Sequence, residues 1–164
     1  MTDWDCIVRN YGPLVFATAW RILGHTADTE DIVQEVFLQV HQMQRTEVVR
    51  HWPGLLRRLA ACRALDRLRQ RRSTVSLNGL SLADHDRGPE ATAIEHELAE
   101  RLRRAIAQLP DREAAVFCLR YFDDLSYQEI AESLHIRAGA VASALHKARL
   151  KLEALLLETV QEKP

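Results

Sequence analysis

Residues 125–152 read LSYQEIAESLHIRAGAVASALHKARLKL, and the punctuation of this stretch decides the fold. Ser126 and Glu129 stand at the S-x-x-E spacing of a capping box, in which each side chain satisfies a free backbone amide of the other residue, so a helix starts there. Ile130, Ala131 and Leu134 recur on one edge of that helix. His135-Ile136-Arg137 is expected to break it, and a second helix is expected to carry Val141, Leu145, Ala148 and Leu152 inward. The small side chain of Ala131 lets the two helices approach, and Ile136 plugs the space between them. This is the layout of a helix-turn-helix. Taken alone, such a helical hairpin serves structure as readily as DNA binding.

Along the rest of the chain, the spacing of apolar residues is helical nearly everywhere, and alternating β-branched runs are missing. The expected fold is all-α. A first helix is predicted from Asp3 or Pro13 to Leu23, with Gly24 supplying a left-handed stop. A second opens near Asp28, whose carboxylate can cap free amides. It places Ile32, Val33, Val36, Phe37 and Val40 on one face and Asp31, Gln34, Glu35 and Leu38 on the other. A third follows Pro53, with Trp52, Leu55, Leu59, Cys62 and Leu65 toward a core and arginines on the outer side. From Ser73 to about Glu95 the pattern dissolves into Ser, Asp, Gly and Asn around Gly88-Pro89. The expected organisation is therefore two small helical domains, 1–72 and 96–164, joined by a flexible linker at 73–95.

At 164 residues and 47% hydrophobic content, the chain can build compact cores. No apolar run approaches the roughly 20 residues that span a bilayer, and MTDWDCIVRN lacks the layout of a signal peptide. A cytoplasmic protein without membrane insertion is expected. Cys6, Cys62 and Cys118 are odd in number and far apart, which suits buried thiols rather than disulfides or a metal site. The seven histidines show no HExxH or zinc spacing, and GxSxG, GxxxxGK[ST] and GxGxxG are absent. No catalytic residue, cofactor or metal is expected.

The net charge of −1 conceals a sharp local imbalance. Residues 1–56 carry −3, residues 57–72 carry +6, residues 73–102 carry −4, and residues 103–164 balance. RALDRLRQRR, residues 63–72, holds five of the arginines. Such a strip is either a solvated helix face or a contact for a polyanion.

The order YGPLVFATAWRILG, DTEDIVQEVFLQV, WPGLLRRLAACRALDRLRQRR, an acidic linker, then LPDREAAVFCLRYFDDLSYQEIAESLHI resembles the bacterial RNA polymerase sigma factors. The likeness is to the short extracytoplasmic-function (ECF) type of the sigma-70 family, which retains regions two and four. It covers all but the linker and the last dozen residues. The resemblance implies that Asp31, Gln34, Glu35 and Leu38 dock on the clamp helices of the largest subunit of the polymerase core. It implies that Arg63, Arg67, Arg69, Arg71 and Arg72 lie along promoter DNA at the minus-ten element, mostly on phosphate. It assigns Arg120, Tyr127, Gln128, Ser143, His146, Lys147 and Arg149 to the minus-thirty-five element, with the second helix of the helix-turn-helix in the major groove. An anti-sigma partner is implied, and no obligate homo-oligomer.

Two departures from the family pattern stand out. Where relatives read RNRALD, this chain has Ala61 and Cys62 in place of the first arginine and the asparagine. Where relatives read GTVKSRLHRAR, it has GAVASALHKAR, with Ala140, Ala142 and Ala144 at the positions of a threonine and two basic residues. Alanine keeps the helix but donates nothing to bases or phosphate, so weak or unusual minus-thirty-five reading is expected, and Ala142→Arg with Ala144→Arg should strengthen duplex binding. Trp52 lies near the loop that captures unpaired bases in such proteins, yet its place in the apolar stripe suits packing better. Two other functions are compatible with the residues. One is a divergent sigma-like regulator that binds polymerase or another protein with weakened DNA reading. The other is a metal-dependent helical enzyme using Asp28, Glu30, Asp31 and Glu35, although these suit a capped helix start and a polar face.

Overall fold

The computed structural model describes residues 3–78 and 92–161, with side chains through Arg72 in the first stretch. Among the described residues the ordered structure is helical, in the order α1 (Trp4–Leu23), α2 (Thr26–Met43), α3 (Trp52–Asn78), α4 (Ala93–Ile106), α5 (Asp111–Tyr121), α6 (Tyr127–Leu134) and α7 (Ala138–Gln161). Helices α1 to α3 form one bundle and α4 to α7 a second, and α3 also lies against α5 and α6.

In the first bundle α1 opens at Asp3, whose side chain accepts from the Cys6 amide, and closes on Gly24 at φ 61°. That conformation costs glycine little, and the Gly24 amide donates to the Trp20 carbonyl. The start of α2 differs from expectation. It begins at Thr26, and the His25 imidazole, not Asp28, accepts from the Asp28 amide at 3.2 Å. The Asp28 carboxylate is thereby left for other partners. Val15, Ile22, Leu23, Ile32, Val36, Val40 and Leu56 are fully buried. Each contributes about 1.5–3 kcal/mol relative to an exposed side chain.

Helix α3 is rotated from the expected stripe. Leu56, Ala60, Ala61, Ala64, Leu65 and Leu68 are buried, whereas Trp52, Leu55 and Leu59 are half-buried and Cys62 is exposed. Because α3 packs against four helices, its apolar face is wide, and three alanines allow the close approach that larger residues would prevent. Trp52 is packed, stacked on Tyr11 with ring centres 6.5 Å apart. Of the cysteines only Cys118 is buried; Cys6 and Cys62 are exposed, contrary to the expectation of buried thiols.

Residues 73–78, expected to begin the linker, continue α3, since no helix breaker precedes Gly79. At its other end the expected linker overlaps α4. Thr92 and Glu95 form a second capping box, with Thr92 Oγ1 accepting from the Glu95 amide and Glu95 Oε2 from the Thr92 amide. The rest of the linker, residues 79–91, lies outside the described residues.

The second bundle follows the sequence closely. Ser126 and Glu129 exchange both capping-box bonds, at 3.1 and 3.2 Å. Helix α6 stops on His135 in the left-handed conformation (φ 54°), and the Ile136 amide donates to the Ala131 carbonyl at 3.0 Å. Helix α7 buries Val141, Ala144, Leu145, Ala148 and Leu152.

Candidate nucleic-acid interface

The arginines of α3 do not form one open cationic strip. Arg63, Arg67 and Arg71 recur every four residues and face α2. Arg67 is shared by three carboxylates: its guanidinium lies 3.0 Å from Glu35, 3.3 Å from Asp28 and 3.6 Å from Asp31. Arg71 Nε is 3.4 Å from Asp28. Arg63 donates to Gln39 Oε1 at 2.9 Å and stands 3.6 Å from Glu35.

Arg69 and Arg72 leave the other edge of α3, toward the second bundle. Arg69 donates to the carbonyls of Leu109 (2.9 Å) and Ala107 (3.4 Å) and pairs with Asp111. Arg72, the one exposed member of the five, reaches the Arg104 carbonyl at 3.5 Å. Each expected phosphate contact thus already has a protein partner.

The acidic face of α2 is drawn into the same network. Asp31 and Glu35, expected on polymerase, are the residues that meet Arg67, while Gln34 and Leu38 are exposed and Leu38 keeps 63% of its surface. Asp28, Asp31 and Glu35 converge on guanidinium groups rather than on a common centre for a metal ion.

In the second bundle the side chains expected on the minus-thirty-five element are arranged differently. Tyr127, Gln128, Ser143, His146, Lys147 and Arg149 are all exposed, from the start of α6 and one side of α7. Arg120 lies with its guanidinium carbon 5.7 Å from the Tyr127 ring centre and donates to the Leu125 carbonyl at 3.0 Å. Arg149 donates through Nε to the Tyr121 hydroxyl oxygen at 2.7 Å, 5.5 Å above the same ring. That hydrogen bond raises the pKa of Arg149. Tyr121 is the residue that sequence reasoning missed. Nothing in local spacing marks it, because it closes on a residue 28 positions away.

Comparison with known proteins bears on these two units. The family model described as sigma-70 region 2 matches residues 7–74, and that of sigma-70 region 4 matches residues 99–152. The ECF RNA polymerase sigma factor SigF of Caulobacter vibrioides is 30% identical over 78% of this chain and 70% of its own length. The chain belongs to the ECF RNA polymerase sigma factors.

Other ECF sigma factors align over more of the chain. SigW of Bacillus subtilis is 29% identical across 92% of the chain and 87% of its own length. SigE of Mycolicibacterium smegmatis is 30% identical across 99% of the chain, which spans 65% of that relative. The fold is shared with the sigma factor RpoE of Bartonella quintana, solved with the anti-sigma factor NepR, at a TM-score of 0.59 and 19% identity over 95% of this chain and 98% of the other.

The positions at which this sigma factor departs from the family pattern now separate. Ala142 is exposed on α7 beside Ser143, as a DNA-facing residue must be, and Ala140 is half-buried. Ala144 is 5% exposed and belongs to the core, one residue before the fully buried Leu145. The expectation that Ala144→Arg would add a DNA contact is therefore corrected: a guanidinium there enters the core, not solvent. In α3, Ala61 is fully buried and Cys62 is exposed next to it, so the two departures at that site are of different kinds.

Proposed function

We propose that this sigma factor joins the RNA polymerase core through α2, guides it to a promoter with both bundles, and helps to open the start site without chemistry of its own. Asp31, Gln34, Glu35 and Leu38 form the polymerase face. Arg63, Arg67, Arg69, Arg71 and Arg72 serve the minus-ten side, where phosphate contact gives affinity that falls with salt. Arg120, Tyr127, Gln128, Ser143, His146, Lys147 and Arg149 serve the minus-thirty-five side, with Tyr121 positioning Arg149. The observation that carries this reading is the exposed polar side of α7, from Ser143 to Arg149, behind a capped α6 and a left-handed turn at His135. The protein acts in the cytoplasm, where the polymerase is. An anti-sigma partner fits the likeness to RpoE of Bartonella quintana, which was solved with one.

A second reading, a divergent regulator that binds polymerase or another protein but reads DNA weakly, is favoured by two features. The α3 arginines are engaged within the protein, and Ala142 offers no donor on the reading helix. Run-off transcription with purified core polymerase on genomic fragments decides between the two. A defined start dependent on this protein supports the sigma reading, and core binding without initiation supports the regulator.

A further inference from the structure

We infer that Ala142 is itself a reader of sequence, and that what it reads is the C5 methyl group of a thymine in the major groove. The inference deepens the minus-thirty-five role proposed above and rests on it. Three alanines near the start of α7 stand where the family pattern has a threonine and two basic residues, and their surroundings differ. Ala144 is in the core and Ala140 is half-buried, whereas Ala142 is exposed. Of the three, Ala142 alone stands fully open to a ligand.

The neighbours of Ala142 fix what it can meet. A helical side chain leans toward the turn before it, which sets the Ala142 methyl over Gly139. A Cβ added to Gly139 would meet nothing within 4 Å, so this turn of α7 is open to an approaching ligand. Arg149 lies seven residues further on, nearly two turns, and shares the same side of the helix about 10 Å along its axis. Its guanidinium is oriented by the Tyr121 hydroxyl at 2.7 Å. A phosphate at Arg149 fixes the helix in register, and the first residues of a recognition helix are the ones that reach base edges. Ser143 and His146, exposed on the adjoining part of α7, can give or take hydrogen bonds there, and Ala142 can do neither. The apolar group that distinguishes base pairs in the major groove is the thymine methyl, so an alanine among polar readers discriminates through that group. Contact removes both methyl groups from water, whereas a cytosine at the same place sets its amino group against a side chain that cannot accept from it. A basic residue at this position would add a phosphate contact that every sequence satisfies equally. Alanine thus lowers affinity and adds selectivity.

Substitution of single thymines tests the reading. Holoenzyme assembled from the full chain and core polymerase selects promoter fragments from a random double-stranded pool. Fluorescence anisotropy then compares a selected fragment with copies in which each thymine upstream is replaced in turn by deoxyuridine, which lacks the methyl but keeps every hydrogen-bonding edge. One thymine of the minus-thirty-five element is expected to matter, its replacement weakening binding about fourfold, the effect of one buried methyl group. Cytosine at that position should also weaken binding, and 5-methylcytosine should recover about fourfold of the loss. Both measurements use the wild-type chain alone.

Variants then assign the effect to Ala142. Ala142→Gly should bind the thymine fragment about fourfold more weakly than the wild type does, and deoxyuridine at the sensitive position should cost it nothing further. Ala142→Ser, which keeps a side chain of similar size, should shrink the deoxyuridine penalty, with circular dichroism checking that both variants retain their helices. A selected fragment on which no deoxyuridine in the minus-thirty-five element changes affinity overturns the inference, as does a penalty that persists unchanged in both folded variants. In either case α7 remains a DNA reader by its polar residues. Failure to select any sequence overturns the minus-thirty-five role itself.

Discussion

Arg120 and Arg149 of the second bundle are held differently from the arginines of α3. On α3 the guanidinium groups are satisfied by carboxylates and carbonyls of the same protein, Arg67 alone meeting three acids. On α5 and α7, Arg120 and Arg149 lie over tyrosine rings, and among the described residues Arg149 forms no ion pair. An aromatic face orients a guanidinium without neutralising it, whereas a carboxylate cancels its field. A run of arginines in sequence is therefore a poor measure of available positive charge. The segment with the highest formal charge is largely neutralised within the protein, whereas Arg149, in a segment that balances overall, forms no ion pair among the described residues.

The largest expected effect lies on the second bundle. Ala144→Arg drives a charge into the core and should cost about 4 kcal/mol in urea denaturation, whereas Ala142→Arg, two residues earlier and exposed, should stay within about 0.5 kcal/mol. Equal tolerance at both positions would remove the assignment of which side of α7 faces out. Next comes the first bundle. Arg67→Ala leaves Asp28, Asp31 and Glu35 facing one another and should cost about 1–2 kcal/mol, between the values for exposed and buried pairs, with the loss shrinking at high salt. A neutral outcome would mean that the α3 arginines are not held as tightly as the contrast between the bundles requires.

Smaller effects appear in binding. Ala142→Arg should steepen the dependence of log affinity for minus-thirty-five duplex on log salt by about 0.9, the signature of one added phosphate contact. Tyr121→Phe keeps the ring but removes the oxygen that accepts from Arg149, and a two- to threefold loss of duplex affinity is expected, roughly one neutral hydrogen bond or less. In an Arg149→Ala background the same change should do nothing. A persistent loss there would show that Tyr121 acts on the fold rather than through Arg149.

Much of the second bundle is legible in the sequence. The capping box at Ser126 and Glu129, the break at His135 and the inward stripe of α7 all come from contacts within one or two turns, and each appears where the spacing places it. The stop at Gly24 is of the same kind. The errors share a different cause. Cys62 sits on the expected apolar stripe of α3, but the helix packs against four neighbours and turns Leu56, Ala60 and Ala64 inward instead. Ala144 reads as a surface residue when aligned to a pattern, yet it is buried next to Leu145. Alanine is ambiguous in this respect, since its small side chain suits a crowded core and a bare helix surface equally.

The sequence suffices for the helical fold, its caps and turns, and the presence of a cationic segment and a two-helix reader in one chain, because these follow from residues that touch their near neighbours. Where the positive charge goes is settled in three dimensions. The pairings of Arg67 with α2 and of Arg69 with the turn after α4 join residues 32 to 40 positions apart. Coulomb attraction depends on distance in space, which no local spacing records.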